Sequence, residues 1–490
     1  MVDDKSSSES FTYDVVIVGA GVSGINTAYR LQTQAPPGTT YAVLEARGET
    51  GGTWDLFRYP GIRSDTDIFT YSFSWNPWPK TDTFASGEEI HHYIRQSAEQ
   101  AGIYQHIRFR HAVKTANWNS KEAVWDLFTS SGGTGSPEIY RARSIFWCTG
   151  YYDYEEPLQS QIPGIGNFQG KVIHPQFWPK DYDYTGKDIV IIGSGATAVS
   201  IVPAVAQKAK HVTMLQRSPT YIIPQPKSNP FTTTAFAILP MWIAHWLVQV
   251  FWITQYQVLM LMCQNFPGLV RKVIRYTNMR HLPHDYAVDL HFKPYYRPWD
   301  QRVCAAVDGD LFAAIRAGSA SVVTDTIQAI NGNEMKLSSG QVLHPDIIVT
   351  ATGLKLRIGG GAKLTIDNKT FDLTTKFMWK NVMLQDLPNT FFAVGSPDIS
   401  WTLLADCAAV LAVRLMWELK RKDATVVQPY LEYPENMTVR PMLGLQSNYV
   451  KKAEGTVPKA GTGVWSPRPS YLVDRYIAKW GDIETGLKYE

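Results

Sequence analysis

The stretch FTYDVVIVGAGVSGINTAYRL, residues 11–31, decides the fold class of this chain. Its apolar run at residues 15–18 predicts a buried parallel strand, which turns through Gly19, Gly21 and Gly24 into a helix. Such glycines allow a tight turn and let backbone N–H groups approach a pyrophosphate, whose charge the helix N-terminus stabilises. The pattern predicts a dinucleotide-binding fold, against the alternative of a merely structural turn.

An acidic residue ends the next predicted strand, YAVLE at residues 41–45. Glu45 follows the last glycine by about twenty residues, the spacing at which a carboxylate binds the ribose hydroxyls of a dinucleotide. A carboxylate there would repel a phosphate on that ribose. The first fold is therefore predicted to bind FAD.

A second strand–turn–helix pattern, KDIVIIGSGATAVSIVPAVA, occupies residues 187–206. The strand that should follow, HVTMLQRSPTY, ends without an acid and carries Arg217 and Ser218 at the corresponding distance. An arginine pairs with a ribose phosphate, so this fold is predicted to bind NADPH, unless Arg217 is merely a solvated side chain. The residues of the second turn are Gly193, Ser194, Gly195 and Ala198.

A shaped loop, ETGGTWDLFRYPGIRSDTD, comes after the first acid at residues 49–67. Its glycines and proline exclude a regular helix or strand. Gly52 gives the backbone freedom to turn, and Trp54, Tyr59, Arg63 and Asp65 supply an aromatic face, a cation and a carboxylate. A surface loop with that mixture favours a bound ligand. The alternative is a packed loop with a surface ion pair.

The segment FQGKVIHPQFWP, residues 168–179, lies between the two glycine-rich turns and belongs to neither. Gly170 suits a tight turn, His174 can donate or accept a hydrogen bond near neutral pH, and prolines keep the flanking backbone extended. We predict a stiff joint that governs movement of the two folds, and the alternative is a loop with a packed tryptophan. The residues of the pattern are Phe168, Gly170, His174, Trp178 and Pro179.

The predicted fold class is α/β, with two Rossmann-like dinucleotide-binding domains and a helical insert in the second. Residues 1–155 begin the FAD-binding domain. Residues 156–384 form the NADPH-binding domain, with the insert at about 225–300. Residues 385–490 complete the FAD-binding domain and end in a tail with few periodic segments, which we expect to wrap over the surface.

Composition limits the function classes. The net charge of +3, with 19% charged residues and no basic stripe, argues against nucleic-acid binding. The four cysteines lack CxxC or metal-ligand spacing, which predicts reduced, mostly buried thiols and no metal site. The polar N-terminus has no secretory signal, so we expect a cytoplasmic protein.

The predicted insert contains a stretch without charged residues, 235–262, which includes three tryptophans. It permits three interpretations: a buried or substrate-lining helix pair, a surface that dips into a membrane, or a transmembrane span. Pro240, His245 and several glutamines argue against the span. A peripheral membrane contact is thus one expectation for this stretch.

With these motifs in view, the chain resembles the class B flavoprotein monooxygenases, and within them the Baeyer–Villiger monooxygenases of the mycobacterial ethionamide-activating type. FQGKVIHPQFWP matches the family fingerprint with its Trp-Pro ending, and GGTWDLFRYPGIRSD matches the second family motif. IGSGATAV, HVTMLQRSPTY and PWDQR are further shared patterns. The resemblance covers roughly residues 12–425 and is thin over 230–270 and the C-terminal tail.

The resemblance implies a role for each matched residue. Arg302 falls on the catalytic arginine of the family, with Asp65 as its carboxylate partner. Many family members have a lysine just before this arginine, but here the residue is Gln301, which leaves NADPH selection more dependent on Arg217. The implied FAD-binding residues are Gly19, Gly21, Gly24, Glu45, Gly52, Trp54, Asp65 and Val113. The implied NADPH-binding residues are Gly193, Ser194, Gly195, Ala198, Arg217 and Ser218.

The activity implied is insertion of one oxygen atom of O2 into a ketone to give an ester or lactone, with oxidation of sulfides as a further reaction. We expect a small apolar ketone or sulfide as substrate. Two alternatives stay open: an N- or S-oxygenating flavin-containing monooxygenase, and a non-catalytic redox sensor that binds FAD and NADPH. The sequence does not predict the oligomeric state.

Overall fold

The computed structural model describes residues 10–131, 138–395, 399–443, 448–453, 455–468 and 470–490. The strands in them are β1 Ser10–Val18, β2 Tyr41–Glu45, β3 Ile107–Phe109, β4 His111–Asn119, β5 Val124–Ser131, β6 Ile139–Trp147, β7 Lys171–Ile173, β8 Asp188–Ile192, β9 His211–Gln216, β10 Ile222–Gln225, β11 Cys304–Val307, β12 Ala320–Thr324, β13 Ile327–Asn331, β14 Glu334–Leu337, β15 Val342–Leu343, β16 Ile347–Thr350, β17 Lys363–Ile366, β18 Lys369–Thr370, β19 Met378–Trp379, β20 Met383–Leu384, β21 Thr390–Phe392, β22 Val427–Pro429 and β23 Leu487–Tyr489. The α-helices in them are α1 Val22–Gln34, α2 Thr53–Leu56, α3 Ile68–Tyr71, α4 Gly87–Gln100, α5 Ala196–Val205, α6 Pro230–Ile238, α7 Met241–Asn265, α8 Pro267–His281, α9 Val288–His291, α10 Asp310–Arg316, α11 Trp401–Lys422, α12 Asn448–Lys452 and α13 Tyr471–Trp480.

The larger sheet is built around the first glycine-rich turn. Its strand order is β18-β17-β4-β5-β6-β1-β2-β3, and β21 joins it at β6. β1 runs parallel to both neighbours, with Val16 opposite Ala42 of β2 and Ile145 of β6. Because β1 and β2 are parallel, Gly19 and Glu45 lie at the same edge of the sheet. This is the predicted dinucleotide-binding arrangement.

Both faces of the larger sheet are covered. Ile17 and Val43 face one core, to which α1, α4 and α11 contribute. Val16 and Leu44 face a second core together with Trp125 of β5. Burial on both faces explains why residues 15–18 form a continuous apolar run and do not alternate with polar residues.

The second sheet is parallel throughout, in the order β12-β9-β8-β16-β7. β8, the turn after it and α5 are the pattern predicted at residues 187–206, so the α/β class with two Rossmann-like folds is confirmed. The edge strand β7 comes from the segment 168–179, with Val172 opposite Ile348. The segment, which belongs to neither glycine-rich turn, thus completes the second sheet through residues 171–173, inside the range predicted for the NADPH-binding domain.

The chain returns to the larger sheet earlier than residue 385. β17 lies parallel to β4, with Leu364 opposite Ala116, and Leu364 is buried in the core with Val16. Residues 363–384 thus already belong to the first fold. The predicted boundary at 384 is too late because the four residues of β17 are too short a pattern to reveal which sheet they join.

The C-terminal tail contains a helix that the sequence analysis missed. α13 packs along α11, where Tyr471 and Ala478 are buried in the same core as Ile17. Arg414 of α11 donates to the carbonyl oxygens of Ile477 and Ala478, 3.0 and 2.9 Å away. Residues 471–480 therefore complete a core and do not simply wrap over the surface.

Candidate functional site

The first glycine-rich turn forms a concave backbone surface, here called the cradle. It leaves no room for a side chain at Gly19 or Gly24. Gly19 has a φ of 104°, and a Cβ on it would lie 2.7 Å from the carbonyl oxygen of Cys148. A Cβ on Gly24 would lie 1.9 Å from the carbonyl oxygen of Gly19. α1 starts after Gly21 without a side-chain cap, which leaves its first N–H groups to an anion. These features fit the pyrophosphate of FAD.

The loop 49–67 reaches this cradle through Gly52. Gly52 has a φ of 58°, and a Cβ on it would lie 3.2 Å from the Cα of Gly21. The guanidinium of Arg47 donates to the carbonyl oxygen of Gly52 and lies 3.2 Å from the Asp55 carboxylate. The loop is therefore fixed against the turn, as expected for a segment that shares its ligand.

Glu45 is held by backbone N–H groups at the end of β2. Its Oε2 accepts from the N–H of Ala20 at 2.8 Å and its Oε1 from the N–H of Arg47 at 2.9 Å. Burial raises the pKa of the Glu45 carboxyl, while these N–H groups and the Arg47 charge oppose the shift. The carboxylate thus lies beside the glycine-rich turn, where the predicted ribose contact requires it, and that contact stays a prediction.

Val113 is a buried residue near the start of β4. It is 8% exposed and shares a core with Leu44 of β2. The pairing of β4 with β5 shifts register between Val113 and Thr115, which bends the strand locally. The implied contact of Val113 with FAD stays a prediction.

An aromatic pair, Trp54 and Tyr71, lies close to the carboxylate of Asp65. The Nε1 of Trp54 donates to the hydroxyl oxygen of Tyr71 at 2.6 Å, and the two rings meet edge to face. Burial raises the pKa of the Tyr71 hydroxyl, and the nearby carboxylate of Asp65 raises it further. Trp54 and Tyr71 therefore form one aromatic wall, and the Asp65 carboxylate lies near it.

Arg302 and Asp65 form an ion pair across the two folds. The Nη2 of Arg302 lies 2.9 Å from the Oδ1 of Asp65, and each side chain is 33% exposed. Arg302 precedes β11 of the second fold, whereas Asp65 comes from the loop 49–67. The structure thus brings together the two residues that the resemblance implies are catalytic.

The helical insert contributes a residue next to this pair that sequence reasoning missed. Burial raises the pKa of the Tyr256 hydroxyl on α7, the carboxylates of Asp67 and Asp65 raise it further, and Arg302 lowers it. Tyr256 also meets Trp299 edge to face, with ring centroids 6.2 Å apart. A tyrosine in a long helix without charged residues was the available signal.

A buried carboxyl at the start of α3 was also missed. Asp67 accepts from the N–H of Thr70 at 2.8 Å and from the Thr70 hydroxyl, which is hydrogen-bonded to Ser400 at 2.6 Å. Burial raises the pKa of Asp67 to about 6 in spite of these bonds. The spacing of Asp67 and Thr70 is that of a helix cap, which would have indicated its structural part.

The loop 49–67 also holds the second fold. Arg63 lies 2.5 Å from the Asp310 carboxylate at the start of α10. A Cβ on Gly61 would lie 2.3 Å from the carbonyl oxygen of Ser200 on α5, and Tyr59 is buried in the core of the second fold. Arg63 thus makes an ion pair, as the alternative interpretation expects, but with the other fold and largely buried. A ligand contact of this loop stays a prediction.

The second glycine-rich turn resembles the first but is more open. Gly193 has a φ of 131°, and a Cβ on it would lie 2.2 Å from the carbonyl oxygen of Ala351. A Cβ on Gly195 would meet nothing within 4 Å, and α5 starts there without a side-chain cap. Ala198 is fully buried in the third position. The open space above Gly195 and the uncapped helix fit a second pyrophosphate.

Arg217 and Ser218 lie beside this turn. Arg217 is exposed directly after β9, and the carbonyl oxygen of Ser218 lies 3.5 Å from the Ser194 hydroxyl. That hydroxyl is also hydrogen-bonded to Thr220 at 2.7 Å. An exposed guanidinium at the edge that carries the glycine-rich turn can reach a ribose phosphate.

We expect Arg217→Ala to raise the KM for NADPH by roughly ten- to a hundredfold, the loss of one charged hydrogen-bonded pair. The KM for NADH should change little, because NADH lacks the phosphate. Steady-state kinetics with both cofactors measures this. Lys187→Ala removes an exposed cation at the opposite end of β8 and serves as the control. Equal increases for both cofactors would refute a phosphate contact.

The segment 168–179 contacts both folds. The Nδ1 of His174 accepts from the N–H of Gln176 at 3.3 Å, and the Gln176 side chain donates to the carbonyl oxygen of Asp153 at 2.6 Å. A Cβ on Gly170 would lie 2.3 Å from the carbonyl oxygen of Asp346, so this glycine permits a close backbone approach and is not needed for a tight turn.

Trp178 packs on the second core, as do Ile173 and Tyr184. Phe168 packs on the β13–β15 hairpins and Pro179 is half-buried.

We expect His174→Ala to slow flavin reduction by NADPH by roughly tenfold or more while FAD stays bound, because the joint that orients the folds is loosened. Burial lowers the pKa of His174, so the neutral imidazole makes this contact at neutral pH. Stopped-flow absorbance of the flavin measures the rate. Phe177→Ala, at an exposed position of the same segment, should reduce at the wild-type rate. Wild-type reduction in His174→Ala would contradict the role.

The stretch 235–262 forms the end of α6 and most of α7. Among the described residues, one helix, Met241–Asn265, is long and apolar enough to cross a membrane by length and composition, yet only 22% of its most apolar window is buried. His245 is buried, whereas Trp242 and Trp246 are 72% and 58% exposed. The interpretation as a buried helix pair therefore holds for only part of the residues of α7.

The four cysteines are free and buried, as predicted: Cys148, Cys263, Cys304 and Cys407. Burial raises the pKa of the Cys304 thiol to about 12. At neutral pH this thiol is protonated, although it lies near Asp65 and Arg302. It is a packing residue of the site and a poor nucleophile.

Comparison with known proteins agrees with this geometry. A family model described as FMO-like, flavin-binding monooxygenase-like, matches residues 12–237. The FAD-containing monooxygenase EthA of Mycobacterium tuberculosis is 42% identical over 480 residues, which cover 97% of each chain. Identity at that level over nearly the whole length indicates common ancestry and shared architecture.

Two solved structures share the fold. A structure of oxidized steroid monooxygenase bound to NADP superposes with a TM-score of 0.74 at 19% identity, over 98% of this chain and 99% of the other. A cyclohexanone-bound structure of cyclohexanone monooxygenase gives a TM-score of 0.72 at 18% identity, over 98% and 100%. Taken with the 42% identity to EthA, the chain belongs to the flavin-binding monooxygenase family of FAD-containing enzymes.

Proposed function

We propose that this enzyme is an FAD- and NADPH-dependent monooxygenase of the Baeyer–Villiger type, acting in the cytoplasm on small apolar ketones and also on sulfides. NADPH, a proton and O2 are consumed; one oxygen atom enters the ketone beside its carbonyl carbon and the other leaves as water. The Arg302–Asp65 pair between the two dinucleotide folds carries this proposal.

The proposal assigns FAD to the first fold and NADPH to the second. When bound and reduced, FAD supplies the reaction with O2. The residues proposed to hold it are Gly19, Gly21, Gly24, Glu45, Gly52, Trp54, Asp65 and Val113. The residues proposed to hold NADPH are Gly193, Ser194, Gly195, Ala198, Arg217 and Ser218.

Arg302 supplies a permanent positive charge where the substrate carbonyl reacts. A nucleophilic attack on a ketone builds negative charge on the carbonyl oxygen, and a guanidinium stabilises that charge best in a site with little water. The carboxylate of Asp65, 2.9 Å away, holds the guanidinium in one place and keeps the net charge of the site low. The Tyr256 and Tyr71 hydroxyls lie near the Asp65 carboxylate of this pair.

Product analysis tests the proposal. Purified yellow enzyme is mixed with NADPH in air together with a ketone, a thioether or an amine, and products are identified by mass spectrometry. We expect esters or lactones from ketones and sulfoxides from thioethers, with NADPH consumption matching product formation. Oxidation of amines without any oxidation of ketones would favour an N-oxygenating enzyme. Release of hydrogen peroxide alone, whatever the substrate, would contradict both.

A further inference from the structure

The helical insert exposes apolar side chains, whose contact with water is energetically unfavourable. Trp242 and Trp246 of α7 are 72% and 58% exposed, and Leu261 on the same helix is 57% exposed. α8 beside it exposes Leu269 and Val273 to 52% and 55%. Contiguous apolar surface of this kind on a soluble protein normally marks a contact with a partner or a membrane.

α7 separates this surface from the candidate site. On its inner side His245 is hydrogen-bonded to Ser72 at 3.1 Å, and Gln249 donates to the carbonyl oxygen of Phe69. Tyr256, further along the helix, lies near the Arg302–Asp65 pair. These contacts fix α7 on the folded protein, and Trp242 and Trp246 line a cleft together with side chains of the first fold while much of each ring stays exposed.

Charge distinguishes between a membrane and other partners for this surface. Residues 228–284 contain no aspartate or glutamate, yet they include Arg271, Lys272, Arg275 and Arg280. All four basic residues are exposed on α8, and Arg275 is paired with Asp289 of α9. Arg271 donates to the Tyr221 hydroxyl and the Tyr296 carbonyl oxygen, which leaves Lys272 and Arg280 among the exposed apolar residues of α8. Cations next to exposed apolar side chains match an anionic lipid surface, which offers phosphates next to an apolar layer.

A further helix, α13, also exposes a tryptophan next to a lysine. A cleft of about 990 Å³ among α1, α7, α11 and α13 is lined by Arg30 and Asp406 in its interior and by Trp242, Trp246, Lys479 and Trp480, among others. Trp480 is 67% exposed, and the Nζ of Lys479 lies 5.7 Å from the centroid of its ring. Tryptophan and lysine side chains are favoured at the boundary between lipid headgroups and acyl chains.

We propose that the enzyme docks on an anionic phospholipid bilayer through α7 and α8. Trp242 and Trp246 enter the boundary between headgroups and acyl chains, while Lys272 and Arg280 contact lipid phosphates. The helices lie along the surface and do not cross the bilayer, because the inner side of α7 is occupied by its contacts with the first fold. Docking does not depend on the oxidation chemistry, so its test needs no turnover.

Flotation of the holoenzyme with vesicles tests the docking. We expect the enzyme to float with vesicles of phosphatidylcholine and phosphatidylglycerol and to stay at the bottom with phosphatidylcholine alone. High salt should weaken binding. Lys272→Gln and Arg280→Gln should each weaken it by about fivefold. The double change Trp242→Gln with Trp246→Gln should abolish flotation, whereas Tyr433→Gln, an exposed aromatic residue outside the insert, should float like the wild type.

Bound flavin and the far-ultraviolet circular dichroism of each variant show that the fold is kept. Wild-type enzyme that stays at the bottom with both kinds of vesicle overturns the proposal. Equal flotation of the double tryptophan variant does so as well. A dimer in vesicle-free buffer that dissociates in the double tryptophan variant would show that a second copy covers this surface, and it would overturn the proposal in favour of self-association.

Discussion

Replacing Arg302 by alanine is expected to abolish ester formation while NADPH oxidation remains measurable. The guanidinium lies 2.9 Å from Asp65 at the meeting of the two folds, where it can stabilise the charge that develops on the substrate oxygen. Loss of one such donor typically lowers kcat by about a hundredfold or more. NADPH oxidation should continue as uncoupled turnover, in which O2 is reduced to hydrogen peroxide by the two electrons of NADPH.

The ratio of product to peroxide measures this prediction, with a ketone as substrate and flavin content as the check on folding. Arg297→Ala, which removes an exposed arginine five positions earlier, should leave the ratio unchanged. Asp65→Asn should have an intermediate effect, because the amide oxygen still accepts a hydrogen bond while the negative charge is gone. Normal ester formation by Arg302→Ala would refute the catalytic assignment.

The local pattern around residue 19 was sufficient to predict the first fold. The interval from the glycines to Glu45 is fixed by one helix and one short connection, so the strand Tyr41–Glu45 appears where the spacing places it. The same holds for β8, α5 and β9. In each of these cases, residues close in sequence determine the contacts, and binary pattern and turn chemistry agree.

Contacts between residues far apart in the chain were harder to predict from the sequence. The pairing of Arg63 with Asp310 joins residues far apart in the chain, and neither residue type indicates which of many partners it meets. β17 consists of four residues that fit either sheet, and only packing of Leu364 decides between them. Asp65 and Arg302 were predicted together because several family motifs occur in order, not because any spacing in this chain relates them.

The exposure of Trp242 and Trp246 could not be predicted from the sequence either. The charge-free stretch 235–262 is equally compatible with burial and exposure, since composition alone does not show which side of a helix is covered. The structure shows that neighbouring residues of α7 differ: His245 is buried, and its pKa is lowered to about 4 by that burial, whereas Trp242 one turn earlier is exposed. Tertiary contacts of α7 with the first fold, and not its hydropathy, decide the outcome.

Gly24→Ala is expected to remove FAD from the enzyme. An added Cβ would lie 1.9 Å from the carbonyl oxygen of Gly19 and 3.0 Å from its carbonyl carbon, both of which are backbone atoms that cannot swing aside. α1 must then move away from β1, and its N-terminus no longer reaches the pyrophosphate. We expect the affinity for FAD to fall by at least about a hundredfold, which corresponds to the loss of a charged hydrogen-bonded contact.

Absorbance of the flavin in purified protein and titration of the apoprotein with FAD measure the loss. Gly195→Ala is the matched control, because a Cβ there meets nothing within 4 Å and the residue has an ordinary φ of −78°. That variant should keep its flavin and show a raised KM for NADPH only, since the added methyl group enters the space assigned to the second pyrophosphate. Wild-type flavin content in Gly24→Ala would mean that the first turn tolerates a side chain, as the second does at Ala198, and that close approach of α1 is not what holds FAD.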